Sequence, residues 1–231
     1  MIETNRSNLD LENPQDCYDF VEKYRPDWII NAAAYTNVDK AETEPELTFK
    51  INYEAPKAFA YAIKKYNGKL MQISTDYVFN GVKNSPYKVT DKKNPQNTYG
   101  KSKNLAEEAI TKILKEDNKL TILRTSWLIG PVGKNFLLTI LDLLEKKEKI
   151  YVVNDQIGSI TSTFSLSKII WKLIQKNDEY SSKQKIFPKY FHWNNRGSLS
   201  WYELALAIKK ISEKISLIKN PAEILPTTTE K

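Results

Sequence analysis

Three apolar runs limit what this chain can fold into: residues 27–33 (DWIINAA), 69–74 (KLMQIS) and 120–129 (LTILRTSWLI). A run that is apolar at nearly every position is the pattern of a strand buried on both faces. Between these runs lie segments with helical spacing. Asn13-Pro14 opens the first, with Cys17, Phe20, Val21 and Tyr24 along one face and Pro26 to stop it. The second, 47–66, has apolar residues at 47, 51, 55, 58, 59, 62 and 63. A third runs from Tyr99 to Lys115, and a fourth, 135–146, places Phe136, Ile140 and Leu143 on one face. This alternation predicts right-handed parallel crossovers and an α/β fold with a doubly wound parallel sheet. Leu9-Asp10-Leu11 reads as the end of an earlier strand, with Asp10 at its carboxyl edge.

Beyond Lys149 the rhythm changes. A short strand (IYVVND), a polar turn (QIGSITS), a helix over 164–176, the segment IFPKYFHW and a helix over 199–213 predict a smaller, irregular α+β lobe, and 177–185 (NDEYSSKQK) reads as a flexible loop. The expected domains are 1–148 and 149–231.

Composition narrows the chemistry. The 231 residues contain one cysteine, Cys17, and one histidine, His192, which excludes a disulfide framework and leaves too few soft ligands for a zinc site. A Ser-His-Asp hydrolase would rest on His192 alone. The net charge of +7 invites a nucleic-acid partner, but Arg occurs only at 6, 25, 124 and 196, and the lysines are interleaved with Glu and Asp. That is a solvated surface rather than a basic stripe, so no nucleic acid is expected. No apolar run approaches the roughly 20 residues of a membrane span, and MIETNRSNLD has no signal-peptide core. The expectation is a cytoplasmic protein with no membrane partner.

Reactive side chains concentrate between Gln72 and Lys103. The 69–74 strand runs into Ser74-Thr75-Asp76-Tyr77, which places hydroxyls at its carboxyl end, where open α/β sheets bind ligands. Downstream, Tyr99 and Lys103 are spaced to share one face of a helix. An ammonium near a phenol stabilises the phenolate and lowers its pKa, making Tyr99 a usable proton donor. Each residue also has a structural use: Thr75 as a strand-end hydroxyl bonded to backbone, Asp76 as a turn cap, Tyr77 and Trp127 as core aromatics, Asp10 as a solvated turn residue. One signal is absent. With no glycine before Gly68, the chain lacks the glycine-rich turn and following helix N-terminus that cradle a dinucleotide pyrophosphate.

The segments NAAAYTNVDKAETEPE (31–46), STDYVFNG (74–81), NTYGKSK (97–103), RTSW (124–127) and VNDQIGSITS (153–162), continuing to LPTTTEK at the end, resemble the dTDP-4-dehydrorhamnose reductase family of extended short-chain dehydrogenase/reductases in order and spacing. The resemblance implies a Rossmann-like sheet, NADPH or NADH as cofactor, and reduction of the C4 carbonyl of a dTDP-4-dehydro-6-deoxy sugar to dTDP-L-rhamnose. Carried over residue by residue, it implies that Tyr99 is the proton donor and that Lys103 binds the nicotinamide ribose. Thr75, Asp76 and Tyr77 would contact the sugar, and Trp127 would pack on the sugar nucleotide. Ala34, Tyr35 and Thr36 would line the dinucleotide, with Asp10 and Leu11 facing the adenine. Tyr35 stands where relatives often have His.

Some relatives dimerise around magnesium held by carboxylates; a homodimer is implied, but no metal is assigned here. Relative to the family, about 30 residues carrying the first β-α-β piece have no counterpart before Met1, and the segment after Lys231 is likewise unmatched. The sheet is therefore expected to be N-terminally incomplete, and the chain alone to bind nicotinamide dinucleotide only in the millimolar range or weaker. Two other functions stay open at this stage: a non-catalytic binding relative similar to the regulatory β subunit of methionine adenosyltransferase, and an inactive fragment.

Overall fold

A computed structural model describes residues 1–116 and 118–229; the last two residues of LPTTTEK lie outside it. The Asn13 side chain caps α1 (Pro14–Tyr24) by accepting the Gln15 N–H, and Arg25 ends the helix in the left-handed region at φ 43°. β1 (Trp28–Asn31) is followed by α2 (Val38–Thr43) and α3 (Pro45–Phe49). A π-helical turn over Lys50–Glu54 then joins α3 to α4 (Ala55–Lys65). Pro56 accounts for that turn: it has no N–H for the residue-52 carbonyl and its ring crowds that oxygen, so widening the helix relieves both. β2 (Lys69–Thr75) runs into a 3-10 turn, Asp76–Val78, and α5 (Thr98–Ile113) leads to β3 (Leu120–Thr125). The remaining elements are β4 (Leu128–Ile129), α6 (Phe136–Lys146), β5 (Lys149–Val153), β6 (Ile157–Gly158), β7 (Thr161–Ser162), α7 (Thr163–Ser182), β8 (Tyr190–His192), β9 (Leu199–Ser200), α8 (Trp201–Lys214) and β10 (Glu223–Thr227).

The described chain forms two compact units, the first made of Met1–Thr125 with Ile170–His192, the second of Ser126–Ile169 with the chain from Trp193 onward. In the first unit the order β1-β2-β3-β8 builds a sheet that is parallel throughout. Leu70, Leu120 and Ile122 on one sheet face meet Cys17 and Val21 of α1, Phe59 and Ile63 of α4, and Ile110 and Ile113 of α5. Thr121, between two of those residues, faces the other way and accepts a hydrogen bond from Asn177 of α7 at 3.4 Å. Helices thus cover both faces, the α/β arrangement expected from the alternating runs. In the second unit β5 and β10 pair in parallel, and Ile150, Val152 and Ile224 pack with Ile140 and Leu144 of α6 and Leu204, Ala205 and Ile208 of α8.

Five local expectations are corrected. Residues 9–11 form a turn, not a strand: the Asp10 carboxylate accepts the Glu12 N–H at 3.0 Å, turning the backbone before α1. The 27–33 strand shortens to Trp28–Asn31 and is half-buried over its first three residues, because β1 lies at the edge of the sheet. The long 120–129 strand breaks after Thr125, where Trp127 takes φ 44° and the chain crosses into the second unit. Tyr190–His192, expected in the irregular lobe, instead pairs with β3. Residues 177–182 are helix rather than loop, since Asn177 is fully buried and Asn177, Asp178 and Ser181 all accept hydrogen bonds from the Lys69 ammonium at 2.8–2.9 Å. Such tertiary partners override a polar composition.

No helix among the described residues is long and apolar enough to cross a membrane. Replacing Asn177 by Ala leaves the Lys69 ammonium and Thr121 hydroxyl short of a buried partner. A loss of about 1–3 kcal/mol in unfolding free energy is expected, read by chemical denaturation.

Candidate active site

Where β2 ends, its polarity changes. Leu70 lies under the apolar core, whereas Ser74 and Thr75, though buried, present hydroxyls. The Thr75 hydroxyl accepts the Tyr77 N–H at 3.2 Å, which starts the 3-10 turn, and it lies 3.1 Å from an Asp76 carboxylate oxygen. Opposite stands the first turn of α5. Asn97 caps it by accepting the Gly100 N–H at 2.8 Å, and Glu42 of α2 accepts from both the Thr98 N–H and hydroxyl. Gly100 lets this turn come close, for a Cβ there would lie 2.3 Å from the Tyr77 carbonyl oxygen.

That approach brings Tyr99 to Thr75. The Thr75 hydroxyl lies near enough to the Tyr99 phenol to favour its ionised form, and the Tyr99 ring meets Tyr77 edge-on with centroids 5.6 Å apart. Burial pushes the Tyr99 phenol up to about 12, against the lowering effect of the Thr75 hydroxyl. The expected lowering by Lys103 is not found, because Lys103 turns its ammonium to the Ile73 carbonyl at 2.8 Å. Lys103 is 3% exposed, and desolvation brings it down to about 8. Burial also raises the Asp76 carboxyl to about 6 although Thr75 and backbone N–H groups hold its charged form. The hydroxyl of Thr75 has one proton, so it donates to Asp76 or to Tyr99 but not to both.

Around this cluster the structure holds further residues with little sequence signal. Asn52, in the π-helical turn, accepts the Tyr35 N–H at 2.8 Å, donates to the Tyr35 carbonyl at 3.0 Å and donates to Ser102 of α5 at 3.1 Å. The stretch Ala34–Tyr35–Thr36 is thereby tied to the helix that carries Tyr99, and the Tyr35 phenol donates to Glu44 at 2.6 Å. Pro56, four residues after Asn52, was the only hint of a distorted helix. Asp10 and Leu11 lie in the turn before α1, with Leu11 packed on the apolar core. Trp127 belongs to the second unit, where its ring stacks on Trp201 with centroids 3.5 Å apart and Gly158 lies so near that a Cβ would meet the indole at 2.5 Å.

A phenol and a lysine one turn apart, facing a strand-end threonine, form the same arrangement in sequence and in space. The family model described as RmlD substrate binding domain matches residues 1–231. The chain belongs to this RmlD family. Among its relatives, the dTDP-4-dehydrorhamnose reductase of Aggregatibacter actinomycetemcomitans is 35% identical over 92% of this chain and 72% of that protein. The spore coat polysaccharide biosynthesis protein SpsK of Bacillus subtilis is 40% identical over 82% of this chain; the aligned part is 62% of SpsK, less than two thirds of its length. The crystal structure of dTDP-4-dehydrorhamnose reductase from Bacillus anthracis in complex with NADP superposes with a TM-score of 0.86 at 36% identity, covering 98% of this chain and 74% of that one.

Two outcomes test this geometry. An Ala in a helix ordinarily gains about 1 kcal/mol over Gly, but Gly100→Ala must push α5 away from the Tyr77 carbonyl, so its melting temperature falls instead of rising. For Asp76, a folded pKa above the ordinary 3.8 means that the folded state holds the proton more tightly than the unfolded chain. Its stabilising contribution is complete below about pH 4 and is lost as pH rises through about 6. Asp76→Asn should flatten that segment of the stability-versus-pH curve measured by denaturant titration.

Proposed function

We propose that this chain carries the active site of a reductase that uses NADPH or NADH to convert the C4 carbonyl of dTDP-4-dehydro-6-deoxy-L-mannose to the alcohol of dTDP-L-rhamnose. The single observation behind this reading is that Tyr99 stands beside the Thr75 hydroxyl at the carboxyl end of a central parallel strand, with Lys103 one turn along the same helix. The relatives' names supply the substrate class.

The residues present fit the nicotinamide end of the cofactor. Among the described residues the Lys103 ammonium has three donors and one acceptor, the Ile73 carbonyl, leaving two N–H groups for ribose hydroxyls. The bound cofactor would supply the hydride. Tyr99, with its phenol near 12, is protonated at neutral pH and therefore acts as an acid rather than a base, giving its proton to the carbonyl oxygen as the carbon–oxygen double bond opens. Thr75 offers that oxygen a second donor when its one proton turns from Asp76 to the substrate, so negative charge developing there meets two hydroxyls. Asp76 and Tyr77 flank the sugar. The stretch Ala34–Thr36, with Tyr35 pinned by Asn52, would present backbone to the dinucleotide, and Asp10 and Leu11 the adenine edge. In this reading residues 1–148 bind mainly cofactor and 149–231, with Trp127, mainly substrate. A cytoplasmic location and pairing of two copies belong to the same proposal; sedimentation reads the pairing.

The test is oxidation of NADPH, supplied up to the millimolar range, on addition of the dTDP-ketosugar. Tyr99→Phe should lower kcat about 10²- to 10⁴-fold with KM nearly unchanged, because it deletes a proton delivered in the transition state. A variant that keeps a third or more of the turnover would assign the acid elsewhere.

A further inference from the structure

Glu107 stands two helical turns beyond Tyr99 and one beyond Lys103, so the three side chains share a stripe along α5. The Tyr99–Lys103 pair accounts for the first two; nothing in the proposed reaction uses the third. Yet Glu107 is fully buried, and its surroundings are built around it. Arg124 of β3 grips it with two parallel bonds, Nε to Oε1 at 2.9 Å and Nη2 to Oε2 at 2.7 Å. Ser74 of β2 donates its hydroxyl to Oε1 at 2.6 Å, and Lys93 lies 3.5 Å from Oε2. Ser74 follows Ile73, whose carbonyl takes the Lys103 ammonium. Adjacent residues of β2 are therefore stapled to α5 through Lys103 and Glu107, immediately before Thr75.

We infer that Glu107 is a positioning residue for the active site: held by Arg124 and Ser74, it fixes the register of α5 on the end of β2 and supplies the buried negative charge that keeps Lys103 cationic. An ammonium with 3% exposure needs such a counter-charge to stay protonated. Among the described residues, the other charged or titratable groups near these two are Tyr99 and Glu108 on the same helix, Asp76 and Tyr77 after β2, Asp91 and Lys93 in the loop before α5, Arg124 on β3 and His192 on β8. Asp76 is engaged by Thr75, Asp91 pairs with Lys83 at 2.6 Å, Glu108 is half-buried and faces Lys93 at 3.6 Å, Lys93 is a second cation, and His192 faces Arg124 at 3.3 Å and the Tyr87 carbonyl at 3.1 Å. That leaves Glu107 as the anion whose field raises Lys103 against desolvation. Glu107 itself is ionised: burial would raise its carboxyl, but the bonds from Arg124, the guanidinium charge and the Ser74 hydroxyl bring it below the usual carboxylate value.

The inference deepens the reductase reading, but its test does not depend on turnover. In the chain labelled with ¹⁵N at lysine Nζ, the Lys103 signal, assigned by its loss in Lys103→Met, is followed through a pH titration. Glu107→Gln should move the Lys103 midpoint down by about one pH unit or more, a tenfold easier deprotonation. A midpoint that stays at the wild-type value overturns the inference, whatever happens to stability. Should Glu107→Gln fail to fold around a lone Arg124 cation, Glu107→Gln combined with Arg124→Gln is read in the same way. A lower midpoint supports the inference; one at or above the wild-type value overturns it. Absence of NADPH oxidation in the wild-type chain would count against the reductase reading alone and leave the titration result standing.

Discussion

Arg124 and Glu107 are both removed from water, at 3% and 0% exposure, and the cost of burying two charges is met only when every donor and acceptor finds a partner. Here they do. Glu107 takes Arg124 twice and Ser74 once, while the guanidinium also donates to the Val89 carbonyl at 3.3 Å and lies over the rings of Phe79 and Tyr190. One ion pair thus joins β2, β3, β8, α5 and the loop before α5. It sits where the sheet face under α5 changes from Leu70, Leu120 and Ile122 to Ser74 and Arg124. The apolar part supplies most of the stability of the first unit, at about 1.5–3 kcal/mol per buried aliphatic side chain. The polar part contributes little net energy but tolerates few alternative arrangements, because a shift in register would strand a buried charge.

Chemistry follows from that arrangement. With α5 held at the end of β2 and its first turn brought in by Gly100, Tyr99 reaches Thr75 and Lys103 reaches the Ile73 carbonyl. Burial then sets the acid-base behaviour: it raises Tyr99 and Asp76 and lowers Lys103, moving each toward its neutral form. A phenol that holds its proton, beside an ammonium that stays cationic only with help from Glu107, is suited to giving a proton to a carbonyl oxygen.

The motifs around Tyr99 were readable in the sequence because they are local. Tyr99 and Lys103 share a helix face by spacing alone, and a buried run ending in Ser-Thr-Asp-Tyr places hydroxyls at a strand end. Glu107 was on the same stripe and could have been found as an acid on the buried face of an amphipathic helix. Its partners, Arg124 from β3 and Ser74 from β2, are 17 and 33 residues away and meet it only through strand pairing. Asn52 gave no signal of its own, since its bonds to Tyr35 depend on the widened helical turn.

By itself the sequence determined the α/β class, the parallel order of alternating strands and helices, and the helix face that carries Tyr99 and Lys103, because hydrophobic period and capping act within a few residues. Tertiary structure decided which apolar runs were edge or centre and that β8 returns to the first sheet. It also made 177–182 helical, through buried bonds from Lys69 to Asn177, Asp178 and Ser181. And it decided the protonation of the site: the sequence placed an ammonium near a phenol, but whether that phenol is lowered or raised depends on desolvation and on which acceptor the lysine finds, both set only when distant strands close around it.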